Sequence, residues 1–364
     1  MIYRAIGLMS GSSLDGLDIA FVEFHENGGK WSFQIEEAEC LPYNEEWMQR
    51  LKSATSLSAL EYQLLHTDYG HYLGEQVNDF IERNNLQYKV ALIGSHGHTT
   101  FHATKSRMTA QLGDGASIAA ETRLPVVSDL RALDVAFGGQ GAPIVPIGEK
   151  LLLGNFNYFL NIGGIANISS NADKYIAFDV CAANRVLNML ANELEKEFDH
   201  NGTIASKGKL NEELLTALNE LEYYTQPYPK SLANEFGTDK VFPLIKKANV
   251  SSEDSLRTYT EHIAIQIKNS IADLKQFHQT ENQQLLVTGG GAFNGFLIRR
   301  LKAMLGEIGV AVVIPDEKLV AYKEAMIMAF IGILRWREEN TVISTVTGAT
   351  RNSIGGALWM GSSS

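Results

Sequence analysis

The residues best suited to chemistry lie in a turn near the amino terminus. Strand-like runs at 3–9 and 19–24 flank residues 10–18, which read Ser-Gly-Ser-Ser-Leu-Asp-Gly-Leu-Asp. Glycine and small hydroxyl residues at a hairpin tip let backbone N–H groups face an anion without an intervening side chain. Asp15 and Asp18 in the same turn can hold a metal ion or orient a nucleophile. An ordinary hairpin would use the same residue types, so this segment alone leaves both interpretations open.

Two further glycine turns follow strand-like runs later in the chain. Gly163 and Gly164 follow the run that contains Asn161, and the glycines at 289–291 follow the run at 285–287. None of the three turns fits the dinucleotide fingerprint or the P-loop pattern that ends in Gly-Lys-Ser/Thr. Together they predict a nucleotide held between two domains by strand tips. Three ordinary tight turns remain the alternative.

Asp179 is the carboxylate best placed to act as a catalyst. It ends the apolar run 175–178 and precedes a helix whose first turn contains Asn184 and Arg185. The carboxyl end of a strand is where an open α/β sheet places its reactive groups, so Asp179 is a candidate general base. A helix N-cap or an ion pair with Arg185 would explain the same residue equally well.

Histidine, lysine and glutamate side chains elsewhere in the chain are further candidates for binding a substrate. His96, His98 and His102 lack the Cys or acidic neighbours of a standard zinc site, so their segment is interpreted as a strand-end loop that hydrogen-bonds a substrate. Lys230 follows a proline-rich loop and could present a cation to a phosphate or carboxylate, although a solvated lysine is the more frequent outcome. Glu324 opens the last long helix, where the helix N-terminus alone favours a carboxylate.

Composition indicates the class of protein. The chain has 364 residues, of which 45% are apolar, and this predicts two domains with their own cores. Strand-like and helix-like segments alternate, so the predicted fold class is α/β. Residues 3–24 and 158–178 share a strand–turn–strand order. We place the first domain at 1–130 plus about 341–364, and the second at about 131–340.

Charge and hydropathy exclude several kinds of partner. The net charge is −11 and no cluster of Lys or Arg stands out, so we expect no nucleic-acid partner. The longest apolar stretch, 326–334, is too short to span a membrane, and the amino terminus lacks the features of a signal peptide. Cys40 and Cys181 form no paired motif, so we expect a cytoplasmic protein without a membrane partner.

Taken together, the motifs resemble those of the anhydro-N-acetylmuramic acid kinase family. The matching segments occur in order along nearly the whole chain, at 7–18, 94–99, 112–115, 134–143, 161–167, 178–179, 230–231, 289–294 and 323–325. The family belongs to the superfamily of actin, hexokinase and the heat-shock ATPases. The resemblance therefore implies a two-domain α/β fold of the actin-like, ribonuclease H-like type, with a nucleotide cleft between the domains.

Members of this family open the 1,6-anhydro ring of anhydro-N-acetylmuramic acid hydrolytically while phosphorylating the sugar. The resemblance implies MgATP as the phosphoryl donor, N-acetylmuramic acid 6-phosphate as the product, and a role in the recycling of cell-wall peptidoglycan. Asp179 matches the aspartate that activates water for attack on the anomeric carbon, and Glu324 matches a glutamate near the substrate. A homodimer is left open.

The remaining site predictions follow from the same match. The residues predicted to bind ATP are Gly11, Ser12, Ser13, Leu14, Asp15, Gly16, Leu17, Asp18, Asn161, Gly163, Gly164, Gly289, Gly290 and Gly291. Asp15 and Asp18 are also predicted to bind Mg²⁺. His96, Asn184 and Lys230 are predicted to contact the sugar.

One departure from the family pattern lies next to the predicted base. The family usually reads Thr-Gly-Pro-Gly-Asn after Phe-Asp, whereas residues 180–184 here read Val-Cys-Ala-Ala-Asn. If those glycines carry a positive φ, alanine costs about 1 kcal/mol or more there. The alternatives are therefore a related kinase for another amino sugar, or a non-catalytic module that binds ATP. A second departure, His98 in place of Gln, keeps a hydrogen-bonding side chain.

Overall fold

The chain separates into two compact units. The computed structural model describes residues 1–11, 14–228, 230–233, 235–279 and 281–361. Unit 1 comprises Met1–Leu153 and Tyr322–Ser364, and unit 2 comprises Gly154–Ala321. The units therefore divide after residues 153 and 321, whereas the domain limits were predicted near 130 and 340.

The strands form two sheets, one in each unit. In chain order the described strands are β1 (Ile2–Ser10), β2 (Gly16–Asn27), β3 (Lys30–Pro42), β4 (Leu92–Ala103), β5 (Met108–Leu112), β6 (Val126–Ser128), β7 (Tyr158–Ile162), β8 (Ile165–Ser170), β9 (Ile176–Ala182), β10 (Gln283–Thr288), β11 (Val310–Val313) and β12 (Ala357–Trp359).

Helices connect and cover the strands. The described α-helices are α1 (Glu45–Ser53), α2 (Ala59–Arg83), α3 (Gly115–Thr122), α4 (Ala132–Ala136), α5 (Pro146–Leu152), α6 (Asn184–Asn192), α7 (Glu212–Asn219), α8 (Glu222–Thr225), α9 (Phe242–Lys247), α10 (Ser252–Leu274), α11 (Gly295–Gly306), α12 (Glu317–Trp336) and α13 (Ser344–Thr347). Short 3₁₀ segments occur at Ala54–Ser56, Thr104–Ser106, His200–Gly202, Lys275–Phe277 and Gly290–Phe293, and a π-helical turn occurs at Gly237–Val241.

The two sheets share the same five-strand core, to which unit 1 adds β5 and β12. In unit 1 the order is β12-β6-β4-β1-β2-β3, with β5 paired to β4. Strands β1, β2 and β3 form an antiparallel meander, and β4 and β6 run parallel to β1 on its other side. In unit 2 the order is β11-β10-β7-β8-β9. There β7, β8 and β9 are the meander, and β10 and β11 run parallel to β7.

Each sheet thus has three antiparallel strands followed by two strands parallel to the first. This is the arrangement of a ribonuclease H-like sheet, and it occurs once in each unit, which confirms the predicted fold class. It also explains the strand–turn–strand order that residues 3–24 and 158–178 share, because β1–β2 and β7–β8 are equivalent hairpins.

Two glycines let α12 pack directly against the sheet of unit 1. A Cβ at Gly7 would lie 1.8 Å from the carbonyl oxygen of Ala325, and one at Gly94 would lie 2.1 Å from that of Met328. The backbones of β1 and β4 therefore touch α12, which only glycine permits. The apolar stretch 326–334 of this helix is core, since its methionines and phenylalanine expose none of their surface.

Helix α5 also belongs to unit 1. It contacts β3, and Gly148 lies so close to α12 that a Cβ would be 2.6 Å from Cγ1 of Ile327. The segments at 131–153 and 322–340 therefore pack with the first sheet, which is why unit 1 is larger than the predicted first domain. No helix in the described parts of the chain is long and apolar enough to cross a membrane.

Candidate functional site

The hairpin between β1 and β2 contains the predicted phosphate-binding residues of unit 1. Ser12 and Ser13 lie outside the described residues. Gly16 lets β2 approach β3, because a Cβ there would lie 2.6 Å from the carbonyl oxygen of Leu41 and 2.7 Å from Sγ of Cys40. This glycine therefore has a packing role as well as its predicted binding role.

The described residues near the tip differ in what they can offer a ligand. Leu14 has a φ of 58°, in the left-handed region that costs a branched residue about 1 kcal/mol. Backbone strain of this kind is concentrated at functional sites. Asp15 accepts the N–H of Gly16 at Oδ1 across 3.1 Å. Leu17 is buried in the core of unit 1, so its side chain is not available to a ligand, whereas Gly11 is half-buried.

Asp18 lies on β2 opposite Cys40 of β3, in a partly buried and acidic environment. Burial, and then the negative charges of Asp15 and Glu324, raise the pKa of this carboxyl to about 6. A hydrogen bond with the Cys40 thiol acts in the opposite direction. A carboxylate held in this way gains from a nearby cation, which would relieve the repulsion from its acidic neighbours.

Glu324 lies on α12, just after a kink at Tyr322, where φ is −115° and ψ is 16°. The preceding residue, Lys323, forms a buried ion pair with Glu149 of α5 at 2.7 Å. The pair anchors this turn of α12 within unit 1. Glu324 itself is half-buried, and its charge acts on both Asp18 and Arg131.

His96 is held between two protein groups. Arg131 donates its Nε–H to Nε2 of His96 at 2.8 Å, so His96 donates from Nδ1 to the carbonyl oxygen of Gly97 at 2.8 Å. Burial, and then the charge of Arg131, lowers the pKa of the imidazole to about 3. Arg131 also donates from Nη1 to the carbonyl oxygen of Gly141 at 3.0 Å. The predicted sugar contact at His96 is thus a neutral ring that supports an arginine.

The three histidines of this segment do not converge. His98 hydrogen-bonds Ser10 through Nδ1 at 3.1 Å, and Tyr43 donates to the same hydroxyl at 2.8 Å. His102 hydrogen-bonds Thr109 instead. Across the described ranges, no group of three or more His, Cys, Asp or Glu side chains is arranged to hold a metal ion.

In unit 2 the glycine turn at 289–291 lies against the end of β7. Gly289 has a φ of 80°, and a Cβ there would lie 2.4 Å from Oδ1 of Asn161. A Cβ at Gly291 would lie 2.2 Å from Cγ2 of Ile162, whereas Gly290 has more space. Strands β7 and β10 are parallel, so their carboxyl ends bring bare backbone together at one edge of the sheet.

The second turn of unit 2 is tied to helix α6. The carbonyl oxygen of Gly164 accepts the N–H of Ala183 at 2.8 Å, and that of Gly163 accepts the N–H of Asn184 at 3.0 Å. The Asn184 side chain donates from Nδ2 to the carbonyl oxygen of Ile162 at 3.1 Å. The structure therefore brings Asn184 together with both predicted glycine turns of this unit.

Asp179 is a half-buried carboxylate on β9 with a single described partner. The N–H of Leu232 donates to its Oδ2 at 2.9 Å. Burial raises the pKa of the carboxyl, and the Leu232 bond lowers it. A carboxylate with a raised pKa is a stronger base than a solvated one, which suits the abstraction of a proton from water.

Neither structural alternative for Asp179 is found. The residue that caps α6 is Ala183, without a side-chain bond, so Asp179 is not its N-cap. Arg185 is not among the groups that shift the pKa of Asp179, and no ion pair joins the two in the described parts of the chain.

The segment that departs from the family pattern continues β9. Cys181, Ala182 and Ala183 are each 2% exposed or less and pack in the core of unit 2. None of them has a positive φ, and that of Ala183 is −130°. The cost that alanine would carry at a left-handed position therefore does not arise. Burial raises the pKa of the Cys181 thiol, which forms no disulfide.

The ammonium group of Lys230 is bound by protein groups rather than by solvent alone. Its ammonium donates to the carbonyl oxygens of Tyr223 at 3.1 Å and Tyr224 at 3.4 Å, and it lies 4.7 Å from the centroid of the Tyr223 ring. Lys230 also lines a cavity of about 480 Å³ with residues of α10, and Asp179 is not among the lining residues.

Sequence reasoning missed three groups around these side chains. Arg131 had a detectable signal, since it is a cation that follows β6 by three residues. The N–H of Leu232 and the hydroxyl of Tyr223, which donates to the carbonyl oxygen of Asp179 at 2.6 Å, had none. Tyr223 reaches Asp179 from α8 and Leu232 from the loop that follows it, and the paths of both depend on tertiary packing.

The repeated ribonuclease H-like sheet, with glycine turns at the strand ends, places the chain in the class of actin-like ATPases and sugar kinases. The family model described as anhydro-N-acetylmuramic acid kinase matches residues 3–361. The chain therefore belongs to the anhydro-N-acetylmuramic acid kinase family. This confirms the predicted family and the prediction of a phosphotransferase with an alcohol acceptor.

Individual relatives agree with the family model. The anhydro-N-acetylmuramic acid kinase of Sulfurovum sp. (strain NBC37-1) is 31% identical over 369 residues, covering 98% of this chain and 99% of that protein. The enzyme of the same name from Photobacterium profundum is 32% identical over 379 residues, covering 98% and 99%. Among solved structures, the activator of the 2-hydroxyisocaproyl-CoA dehydratase from Clostridium difficile aligns at 14% identity with a TM-score of 0.42, covering 92% of this chain and 97% of that one.

Proposed function

We propose that this protein is an ATP-dependent kinase that opens the 1,6-anhydro ring of anhydro-N-acetylmuramic acid and phosphorylates it to N-acetylmuramic acid 6-phosphate. The observation that carries the proposal is Asp179. It is half-buried, its pKa is raised by burial, and its sequence context resembles that of the family's catalytic aspartate. The product would serve peptidoglycan recycling.

In this reaction Asp179 acts as the general base. It takes a proton from a water molecule, whose oxygen attacks the anomeric carbon and breaks the bond from that carbon to the 6-oxygen. The freed 6-oxygen takes the γ-phosphoryl group of ATP, and ADP leaves. Asp179 then releases its proton to solvent. Such transfers depend mostly on alignment and charge neutralisation, which fits a site built largely of backbone groups.

The remaining contacts are proposed unit by unit. In unit 1, hairpin residues 11–18 bind phosphate. In unit 2, Asn161 and the glycine turns at 163–164 and 289–291 bind the nucleotide, and their support is the bare backbone gathered at the ends of β7 and β10. Asn184 contacts the sugar.

Asp15 and Asp18 would hold Mg²⁺. Their carboxylate oxygens are the ligand type that Mg²⁺ prefers. Burial, and then the negative charges of Asp15 and Glu324, raise the pKa of Asp18, and a bound cation would favour its charged form. When bound, the ion would neutralise phosphate charge. Glu324 contacts the substrate from the same acidic group.

His96 serves the substrate through Arg131 rather than directly. Burial lowers the pKa of Arg131 to about 10, which still leaves the guanidinium charged at neutral pH. N-acetylmuramic acid carries a carboxylate, and a planar guanidinium held by two bonds suits such a group.

A cytoplasmic location and a homodimer belong to the same proposal. Both cysteines are free thiols, which fits a reducing compartment that supplies ATP. Sedimentation of the purified protein would test the dimer, and fractionation of cells would test the location.

The decisive experiment uses wild-type protein, MgATP and 1,6-anhydro-N-acetylmuramic acid in ¹⁸O-labelled water. We expect ADP and a phosphosugar with one label at the anomeric position, measured by mass spectrometry. A parallel reaction without sugar controls for simple ATP hydrolysis. Faster turnover of another amino sugar would show that the protein is a kinase with a different substrate. Nucleotide binding without turnover of any sugar in a panel would show that it is a non-catalytic binding module.

A further inference from the structure

The side chain of Lys230 is committed to the end of helix α8. This helix, Glu222–Thr225, ends in carbonyl groups that Lys230 can reach, and that of Tyr223 also accepts the N–H of Gln226 at 3.2 Å. The ammonium of Lys230 donates to two of them, on Tyr223 and Tyr224, and lies over the Tyr223 ring. A lysine has three N–H donors, so little of its hydrogen-bonding capacity remains for a ligand.

The same short segment holds Asp179 at three points. Tyr223 donates its hydroxyl to the carbonyl oxygen of Asp179 at 2.6 Å. The carbonyl oxygen of Lys230 accepts the N–H of Asp179 at 3.1 Å, and the N–H of Leu232 donates to the Asp179 carboxylate at 2.9 Å. The side chain of Lys230 therefore joins the two parts of the chain, at 223–224 and 230–232, that together fix the backbone and the carboxylate of Asp179.

We propose that Lys230 is a positioning residue for Asp179, which it fixes through Tyr223 and the Leu232 N–H, and not a contact to the sugar. This inference rests on the proposed role of Asp179 as the base. Without the ammonium, Tyr223 and residues 230–232 lose their connection, and the carboxylate loses its defined direction. A displacement of about 1 Å at a reacting group can lower a rate by about 100-fold.

Two variants test the connection, with one matched control for each. Lys230→Met removes the ammonium and keeps the apolar stem, and Tyr223→Phe removes only the hydroxyl. Lys247→Met changes an exposed lysine at the end of α9. Tyr228→Phe changes a tyrosine that stacks on Phe178 next to the same cavity and has no described hydrogen bond through its hydroxyl.

We expect both test variants to lower kcat by about 100-fold with little change in the KM of the sugar. The acidic limb of the pH–rate profile should move to higher pH, because the Leu232 N–H lowers the pKa of Asp179 and a loosened loop loses that bond. The control variants should keep the wild-type profile. A raised KM with an unchanged kcat and limb would instead make Lys230 a sugar contact and overturn the proposal.

A measurement without turnover separates this inference from the proposed function. The carboxyl of Asp179 can be titrated by ¹³C NMR in the wild-type protein and in both test variants. We expect a higher midpoint in Lys230→Met and Tyr223→Phe than in the wild type and the controls. An unchanged midpoint in both would overturn the positioning role even in an active kinase. Absence of wild-type turnover would overturn the kinase, while the titration would still decide the role of Lys230.

Discussion

Arg131 donates its Nε–H to Nε2 of His96 at 2.8 Å, and this bond determines which form of the imidazole is present. The acceptor nitrogen must be unprotonated, so the proton lies on Nδ1 and is donated to the backbone. Burial and the adjacent positive charge lower the pKa of the ring to about 3. His96 is therefore a fixed neutral support for a cation rather than an acid or base in the reaction.

The lowered pKa makes His96 a source of acid sensitivity. The folded protein keeps the ring neutral down to about pH 3, whereas the unfolded chain protonates it near 6.5. Stability is thus lost as pH falls below 6.5. His96→Gln keeps an acceptor for Arg131 but does not titrate, so its loss of unfolding free energy between pH 7 and pH 5 should be smaller by about 2 kcal/mol. Urea unfolding at both pH values measures this difference.

The control for this prediction is the same change at an exposed histidine. His200→Gln should lose as much stability between pH 7 and pH 5 as the wild type does, because His200 has an exposed side chain. If His96→Gln lost as much as His200→Gln, the ring would not be held neutral by its surroundings.

Asp179→Asn tests the base directly. Asparagine keeps the size of the side chain and an oxygen for the Leu232 N–H, but it cannot take a proton from water. We expect kcat to fall by about 100- to 10,000-fold, which is the range for loss of a general base. The melting temperature should not fall, because burial disfavours the charge that the substitution removes. Full activity in this variant would exclude Asp179 as the base.

Much of the fold and part of the site could be predicted from local patterns. Alternating strands and helices predicted the α/β class, and glycines after strands predicted turns that the structure places at the ends of β7 and β10. Each of these features depends on residues that are neighbours in the chain. Asp179 was predicted at the end of a strand, whereas it lies within β9, which continues to Ala182.

The rest depends on contacts that sequence order does not reveal. His96 was predicted to contact the sugar, and the sequence did not indicate that its Nε2 accepts from Arg131, 35 positions away, while its Nδ1 donates to the carbonyl oxygen of Gly97. Residues 180–184 were read as an altered turn, whereas β9 continues to Ala182, with Cys181 buried in the core, and α6 begins at Asn184. The limits of unit 1 depend on close approach at Gly7 and Gly94, which no local pattern indicates.

The negative charge of Asp18 destabilises the folded protein, so removing it should raise the unfolding free energy. Its pKa is raised from 3.8 to about 6, so the folded state binds a proton more tightly than the unfolded chain does, and stability is lost as pH rises through this range. Without Mg²⁺, Asp18→Asn should therefore raise the unfolding free energy at pH 7 by about 3 kcal/mol. Urea unfolding in EDTA at pH 7 and pH 4 measures the gain, which should disappear at pH 4.

The same substitution should weaken the response to metal. If Asp18 holds Mg²⁺, the ion raises the melting temperature of the wild type more than that of Asp18→Asn, and the variant needs more Mg²⁺ for turnover. Equal responses of both proteins to Mg²⁺ would show that Asp18 does not bind the metal. If Asp18→Asn did not raise the unfolding free energy at pH 7, the charge of Asp18 would not destabilise the fold.

Gly94→Ala tests the direct contact of β4 with α12. The added methyl group would lie 2.1 Å from the carbonyl oxygen of Met328, which is backbone and cannot rotate away. We expect α12 to be displaced and the unfolding free energy to fall by about 3 kcal/mol. We also expect a lower kcat, because Glu324 lies on the same helix.

Gly306→Ala is the matched control, because nothing lies within 4 Å of a Cβ at the end of α11. It should leave stability unchanged or raise it by up to about 1 kcal/mol. Urea unfolding compares the two, and equal stability of both variants would mean that α12 does not rest on β4.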